Sequence, residues 1–286
     1  MKHLTFWPNS DNTCGDLGWL EMLFPKDEYR WHFDFVAPEA RQSQTVIIVN
    51  AWCGNSTKYT IGELNQQVSQ WQKIQIVSIG DEHGLWHWRS ITHPNAIIWV
   101  QFPKPNRHDD LRWLPAGPLS QYIMLSKYQD IIDDKDLDWS FSGMEKSPEW
   151  MQAMKALPAV NSFYSADLLA AEDYYRLLAR TKVVPCRPTD FGPETARIYD
   201  ALEAGCVPIV GVYPAHPWWR WATPPIDWPR YWTGLFGENP PFPVISDPAF
   251  LGEAVRNTLS KWPEIGAQVS DWWKKHKISL HAKLNQ

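Results

Sequence analysis

Short stretches rich in apolar residues alternate with a helical pattern in the first half of the chain. Three of these stretches have the length of single strands: Val46–Trp52, Ile74–Ile79 and Ala96–Val100. Between the first two, apolar residues recur every three or four positions: Ile61, Leu64, Val68 and Trp71. This spacing predicts a helix with one apolar stripe. Apolar strands joined by such helices favour a parallel sheet buried on both faces.

Two polar stretches separate this half from the second. Pro103–Pro118 is rich in proline and predicts a loop, while the acidic cluster Asp130–Asp138 predicts a solvent-exposed surface. We therefore expect two α/β halves that are joined near residues 118–137.

The second half repeats the alternation. The predicted strands are Asp138–Gly143, which ends in a glycine turn, Lys182–Cys186 and Cys206–Gly211. The predicted helices are Ser147–Leu157 with Pro148 at its start, a helix capped by Ser165 that runs through Leu178, Glu194–Ala204 ended by Gly205, and finally Pro248–Lys261 and Pro263–Lys277. Their boundaries follow the preferences of helix ends for serine, proline and glycine. The stretch Tyr213–Pro243 is rich in tryptophan and proline, and no element is predicted there.

These elements predict an α/β fold with two Rossmann-like domains that face a central cleft. The expected domains are residues 1–125 and residues 126–286, and the last helix is a candidate to pack back on the first domain. Ligands of such folds bind beyond the carboxyl ends of the strands, and a cleft between two domains is the default site.

Composition narrows the possible classes of protein. The 286 residues are 44% hydrophobic and 21% charged, which is typical of a globular chain and excludes a disordered one. The net charge of −5 argues against a basic nucleic-acid scaffold, although a local basic groove stays possible. The 19 tryptophans and 24 prolines are unusually many, and they indicate either an aromatic core or a surface that stacks on flat or sugar-like ligands.

The sequence also carries expectations about location. No run approaches the roughly 18 apolar residues of a membrane-spanning helix, and the first residues lack the apolar core of a signal peptide. Four cysteines lie far apart without a C-x-x-C pair: Cys14, Cys53, Cys186 and Cys206. Free thiols in a reducing, cytoplasmic compartment are the simplest interpretation.

The stretch Tyr174–Gly211 carries the most informative chemistry. Its pattern predicts a strand, the glycine-containing loop Thr189–Pro193, a helix, a tight turn and a second strand. The amino end of the helix offers unpaired N–H groups and a positive dipole end, which favour anions. Arg197, one turn into the helix, can add a guanidinium fork to a diphosphate. A carboxylate at Asp200 can accept two hydrogen bonds from a ribose diol.

With these residues the chain resembles the nucleotide-sugar domain of GT-B glycosyltransferases, most closely the exostosin-like group. Four further matches extend the resemblance to about residues 75–211: Trp139–Gly143, Asp173–Tyr175, Ile79–Glu82 and Leu114–Gly117. The chain departs from the family after the glycine turn, where an arginine is common and this chain has Pro148–Trp150. Lys146 is a candidate to replace that arginine.

The resemblance implies transfer of a sugar from a nucleoside-diphosphate donor, with a UDP-sugar favoured, to an acceptor hydroxyl. It implies donor contacts from the second domain: Ser142, Gly143, Arg187, Gly192, Glu194, Thr195, Arg197 and Asp200. The donor is a co-substrate, and no tightly bound cofactor is expected. In such folds helix dipoles and cationic side chains stabilise the departing diphosphate, so the reaction is expected to be independent of metal.

An inverting enzyme of this kind needs a general base near the acceptor, and the first domain is expected to supply it. The candidates are Asp81, Glu82 and His83, just beyond a predicted strand end, with Asp16 as the runner-up. A retaining enzyme needs no such base. His83, His87 and His93 form only a weak metal pattern. His83 and His87 are four residues apart, but Gly84 lies between them and no third ligand follows this pair at a familiar spacing.

The acceptor is expected to be a glycan or a small molecule, and its candidate contacts are Trp218, Trp219 and Arg220. Tryptophan also stacks on nucleobases, so a hydroxymethylated pyrimidine in DNA is an alternative acceptor. A second alternative is a glycan-binding protein of the same fold that does not catalyse transfer.

Overall fold

Two parallel β-sheets organise the computed structural model of this chain. They lie in two units, Met1–Ala116 and Gly117–Gln286. The structure describes residues 2–6, 17–32, 45–51, 61–69, 71, 73–79, 90–103, 110–118, 135–143, 147–158, 160–189, 192–212 and 228–285. Within those residues no helix combines the length and the apolar character needed to cross a membrane.

The first unit contains a six-stranded parallel sheet with the order β2-β1-β3-β4-β5-β6. Its strands are β1 (Lys2–Phe6), β2 (Tyr29–His32), β3 (Thr45–Ala51), β4 (Lys73–Ile79), β5 (Ala96–Val100) and β6 (Arg112–Trp113). Its described helices are α1 (Leu17–Leu23) and α2 (Ile61–Val68). The three predicted strands of this half are thus confirmed as β3, β4 and β5.

Alternation along β4 positions the core of the first unit. Ile74 and Ile76 point to the face where Leu64 and Val68 of α2 pack, and Trp71 joins the same cluster. The helix ends at Val68, so Trp71 contacts the core from beyond the helix and not from within it.

The prediction of one continuous loop over Pro103–Pro118 is wrong at β6. This short strand pairs with β5 through Trp99–Arg112 and Val100–Trp113. Cross-strand pairing therefore overrides the local preference of a proline-rich stretch at the edge of the sheet.

The second unit contains a five-stranded parallel sheet with the order β11-β10-β9-β7-β8. Its strands are β7 (Leu137–Ser142), β8 (Ser162–Ser165), β9 (Thr181–Cys186), β10 (Val207–Gly211) and β11 (Val244–Ile245). Its helices are α3 (Pro148–Lys155), α4 (Ala171–Arg180), α5 (Ala196–Glu203), α6 (Trp228–Phe236), α7 (Leu251–Leu259) and α8 (Glu264–Leu284). A 3₁₀ turn at Pro248–Phe250 precedes α7.

Apolar residues from strands and helices meet in one core of the second unit. Trp139 and Phe141 of β7 pack with Trp150 of α3 and Leu251 of α7. The last helix, α8, packs on α5 and β10. Three helices predicted from the sequence are confirmed: α3, which begins with Pro148, and the two final helices α7 and α8.

Ser165 does not cap a helix, which corrects the sequence prediction. It is the last residue of β8, and its hydroxyl accepts a hydrogen bond from the Asp167 N–H at 3.1 Å. Serine side chains that bond to their own backbone in this way favour turns, so the chain turns here and α4 begins only at Ala171.

Two smaller predictions of the second half are also corrected. Glu194 precedes α5, which begins at Ala196, and thus does not lie in the first turn of the helix. Asp138 belongs to β7, where it is half-exposed and pairs with Lys182 at 2.8 Å, whereas Asp136 is exposed as predicted. Residues 130–134 of the predicted acidic surface lie outside the described residues. The glycine stop is confirmed: Gly205 has φ of +67°, and the neighbouring Cys206 N–H donates to the Ala201 carbonyl oxygen.

Candidate functional site

The carboxyl edge of the second sheet gathers several of the residues singled out by sequence. Because all pairs of strands are parallel, the chain leaves β7, β8 and β9 at the same edge. Gly143 follows β7, the turn after Ser165 follows β8, and Arg187 follows β9. The start of α5 brings Arg197 to the same region, and this edge is where ligands of parallel α/β folds bind.

Arg197 is held in place from three sides. Its Nη1 donates a hydrogen bond to the Ser142 carbonyl oxygen at 2.6 Å. Its guanidinium carbon lies 4.4 Å from the centroid of the Phe141 ring and 5.9 Å from that of the Tyr174 ring. We call these two rings the aromatic clamp. Each contact of this type contributes about 0.5–2 kcal/mol, so the cation has a defined position before any ligand binds.

Gly143 makes this position of Arg197 possible. Its φ is +149°, a conformation that side chains with Cβ rarely adopt. A Cβ at this position would lie 2.5 Å from Arg197 Nη2, which is closer than van der Waals contact allows. The turn after β7 therefore requires glycine both for its backbone and for the space that the guanidinium fills.

Ser142 connects Arg197 to the turn that follows β8. Its hydroxyl donates to the Asp167 carbonyl oxygen at 2.9 Å and accepts from the Leu169 N–H at 3.3 Å. Its carbonyl oxygen accepts from Arg197. The residue thus organises the backbone around the site through both its polar groups.

Thr189 and Gly192, ahead of α5, are joined by three hydrogen bonds. The Thr189 hydroxyl and N–H both donate to the Gly192 carbonyl oxygen, and the Gly192 N–H donates to the Thr189 hydroxyl oxygen at 3.1 Å. Arg187 is half-buried, and its Nη1 donates to the Pro188 carbonyl oxygen at 3.1 Å. Thr195 occupies the N-cap with extended backbone, and its side chain makes no capping hydrogen bond.

Glu194 is fully buried and joins three segments of the second unit. Its carboxylate accepts hydrogen bonds from the hydroxyls of Tyr199 on α5 and Tyr231 on α6, the latter at 2.7 Å. Burial raises the pKa of Tyr231 well above its usual value, and the charge of Glu194 adds to that shift. The tyrosine therefore stays protonated and keeps donating to the carboxylate.

Asp200 is almost fully buried, with 1% of its surface exposed, and its charge acts on two groups that the charge of Arg197 also affects. Burial raises the pKa of Tyr174 and of the Cys186 thiol. Arg197 opposes both shifts, and Asp200 adds to both of them. The structure thus brings the predicted diphosphate contact and the predicted ribose contact into one charged neighbourhood, in which the thiol stays protonated.

The other predicted site residues lie outside the described residues. These are the candidate bases Asp16, Asp81, Glu82 and His83, the candidate acceptor contacts Trp218, Trp219 and Arg220, and Lys146. In the described part of the chain, no group of three or more histidines, cysteines or acidic residues could hold a metal ion. His93 closes a turn instead: its Nε2 donates to the Trp71 carbonyl oxygen, and its Nδ1 accepts from the Asn95 N–H.

Sequence reasoning missed the aromatic clamp. In the sequence, Tyr174 belongs only to the family resemblance, and Phe141 only to a predicted strand. The alternation of β7 offers a partial signal, because it places Phe141 next to the glycine turn. The approach of α4 to α5, which brings Tyr174 to the guanidinium, has no local signature in the sequence.

No family model matches this chain, and no curated protein matches it either. Among the solved structures that match, one is similar over 100% of this chain and 98% of its own, with a TM-score of 0.50 and 9% identity. It is the crystal structure of Alr3699/HepE from Anabaena in complex with UDP and glucose. The two chains share a fold. At this identity the similarity concerns the mixed α/β architecture with its parallel sheets, and it assigns no residue of this chain.

Proposed function

We propose that this chain is a glycosyltransferase that takes a sugar from a nucleoside-diphosphate donor, with a UDP-sugar as the favoured donor. The observation that carries the proposal is the pre-positioned guanidinium of Arg197 at the carboxyl edge of the second sheet. The shared fold with a protein crystallised with UDP and glucose supports the same class of ligand. The resemblance of Tyr174–Gly211 to exostosin-like GT-B enzymes supports it independently.

The proposed chemistry follows from the charge that develops on the leaving group. As the bond between sugar and diphosphate breaks, negative charge grows on the diphosphate oxygens. A guanidinium that is already fixed can donate hydrogen bonds to those oxygens without first losing its own freedom. The amino end of α5 adds a positive dipole end next to Arg197. No metal is required for this stabilisation.

The remaining parts of the proposal follow the two-domain GT-B plan. The second unit would hold the donor, with the diphosphate near Gly143, Gly192 and Arg197. The first unit would hold the acceptor and supply the base from among Asp81, Glu82, His83 and Asp16. Asp200 would hold the ribose; since it is 1% exposed, neighbouring side chains have to move before its carboxylate can reach a ligand. The acceptor itself stays unassigned.

A thermal-shift panel tests the donor site. Wild type is compared with Arg197→Ala in the presence of UDP, other nucleoside diphosphates and uridine. A ligand at 100 times its dissociation constant stabilises the fold by about 2.7 kcal/mol, so binding gives a clear rise in melting temperature. We expect UDP to stabilise the wild type and to lose most of this effect in Arg197→Ala.

Arg176→Ala is the matched control. Arg176 is exposed on α4 and pairs with Glu172 one turn away, so its loss changes the net charge equally without touching the site. We expect this variant to keep the full UDP shift. The proposal fails when no nucleoside diphosphate stabilises the wild type, or when both arginine variants respond to UDP as the wild type does.

A further inference from the structure

Arg197 is positioned by residues from elements that are distant in sequence. Phe141 comes from β7 and Tyr174 from α4, while Arg197 itself lies on α5. Phe141 is 1% exposed and stacks on Tyr164 with ring centroids 5.9 Å apart, so its ring is fixed by the core. Tyr174 is only half-buried, and it forms the more accessible side of the aromatic clamp.

The clamp holds the guanidinium without neutralising it. In the described part of the chain no carboxylate lies within salt-bridge distance of Arg197, whose contacts are the Ser142 carbonyl and the two rings. Aromatic faces attract a cation through their quadrupole and leave its net charge unchanged. A carboxylate in the same place would compete with an anionic ligand, whereas a ring does not.

The hydroxyl of Tyr174 fits this role. Burial holds its pKa well above the usual value, so the side chain stays neutral beside the cation. Its ring also contacts Tyr175 with centroids 5.4 Å apart, which restricts its motion on α4. The part of Tyr174 that acts on Arg197 is therefore the ring face, and the hydroxyl is dispensable for that contact.

We propose that Tyr174 is a positioning residue for the donor diphosphate, which it influences by holding the guanidinium of Arg197 against Phe141 and the Ser142 carbonyl. The inference rests on the proposed function, since it needs a diphosphate that Arg197 binds. Ordering a free arginine side chain costs about 2 kcal/mol of rotamer entropy. A guanidinium that the clamp already holds avoids much of this cost when the ligand binds. Tyr174 acts through Arg197 and not by contact with the ligand.

Isothermal titration with UDP and with uridine tests this role. Tyr174→Phe keeps the ring, so we expect UDP affinity within about twofold of wild type. Tyr174→Leu removes the ring, and a lost cation–π contact predicts UDP affinity weaker by roughly tenfold. Uridine lacks the diphosphate, so its affinity should be equal in all three proteins. The melting temperature without ligand shows that each variant is folded.

A double mutant separates positioning from a general structural effect. In the Arg197→Ala background, Tyr174→Leu should cause no further loss of UDP affinity, because the clamp then has nothing to hold. An equal loss in both backgrounds, or a parallel loss of uridine affinity, would overturn the inference. Should Tyr174→Leu fail to fold, Tyr174→Met allows the same comparison with a side chain of greater length.

The experiment also separates this inference from the proposed function. When Arg197→Ala lowers UDP affinity and Tyr174→Leu does not, the donor site stands and the positioning role of Tyr174 is wrong. When Arg197→Ala itself leaves UDP affinity unchanged, the proposed function loses its main support and the positioning role falls with it.

Discussion

Gly143 is the residue on which the position of Arg197 depends most closely. A Cβ there would collide with the guanidinium, and the backbone conformation already disfavours other residues. Because Arg197 Nη2 is the far end of a flexible side chain, the collision is relieved by displacing the guanidinium from the position that it holds against the two rings. Substitution therefore affects binding separately from stability.

Gly143→Ala is expected to lose about 1–3 kcal/mol of unfolding free energy through backbone strain and, in addition, most of its UDP stabilisation. Gly237→Ala is the matched control, because Gly237 also has positive φ, at +83°, while a Cβ there meets Lys283 Nζ only at 3.7 Å. Denaturant unfolding and UDP thermal shifts measure the two effects. Equal retention of the UDP shift in both variants would contradict the account.

The residues of this site differ in how far sequence could predict them. Gly143 and Arg197 stand in recognisable surroundings, a strand followed by glycine and a loop followed by a helix. The contacts of Glu194 could not be predicted, since its two tyrosine partners lie on different helices. The burial of Asp200 could not be predicted either, because the position of a residue on a helix does not indicate which segments pack over it.

At the scale of elements, Lys135 joins the carboxyl ends of α4 and α5, the helices that carry Tyr174 and Arg197. Its Nζ donates to the carbonyl oxygens of Leu178 and Ala179 at 3.1 Å and of Ala204 at 2.9 Å. Helix ends leave such carbonyls without intrahelical partners, and a cation there also complements the helix dipole. One buried side chain thus fixes two helices of the site relative to each other.

Lys135→Met keeps the apolar stem and removes the hydrogen bonds to the three carbonyl oxygens, together with one to Cys206 Sγ. A buried carbonyl left without its charged donor costs about 1–3 kcal/mol. Because the Leu178 carbonyl oxygen still accepts from the Thr181 N–H and Cys206 Sγ, we expect a total loss of about 3 kcal/mol. Urea unfolding measures it. Lys182→Met, which breaks the half-exposed pair with Asp138, is the control and should cost about 1 kcal/mol or less. Similar losses in both variants would show that Lys135 does not join the helices as described.

Most elements followed from their hydrophobic pattern, and the exceptions have identifiable causes. The buried strands β4, β9 and β10 are short apolar runs, a pattern that is typical of strands covered on both faces. The two-residue strand β6 forms only through its pairing with β5. Ser165 stabilises a local turn through its hydroxyl and does not cap a helix. Helix α6 lies in a stretch where proline and tryptophan conceal the pattern, although Pro229 stands near its start, where proline is tolerated.

At the scale of the whole molecule, stability should depend on pH through His276 on α8. Burial lowers the pKa of His276 from 6.5 to about 4, and the positive charge of Lys283 adds to this, while a hydrogen bond to the backbone of Phe236 acts in the opposite direction. Its ring stacks on those of Trp272 and Trp273. Between pH 6.5 and 4 the unfolded chain therefore binds a proton that the folded chain excludes.

The sign of this dependence is fixed by the lowered pKa. The contribution of neutral His276 is complete above pH 6.5 and is lost as the pH falls towards 4, with a total of about 3 kcal/mol. His276→Gln does not titrate, so its unfolding free energy should fall less than that of wild type between pH 7 and pH 4. Parallel pH profiles for the two proteins, measured by urea unfolding, would contradict the burial of His276.

The general class of the molecule was accessible from sequence, whereas its chemistry depends on contacts between distant segments. Both parallel sheets were predicted by apolar runs alternating with helical patterns, and the structure confirms the α/β class. The candidate bases and acceptor contacts stay predictions. The proposed donor site depends on Arg197, Gly143 and the aromatic clamp, which only the folded second unit brings together.

A crystal structure of the chain with UDP tests the central claim most directly. The account predicts the diphosphate at the carboxyl edge of the second sheet, with its oxygens within hydrogen-bond distance of the Arg197 guanidinium. It also predicts that the guanidinium keeps its contacts with Phe141 and the Ser142 carbonyl. UDP bound elsewhere, or a diphosphate that leaves Arg197 untouched, would contradict the assignment of the donor site.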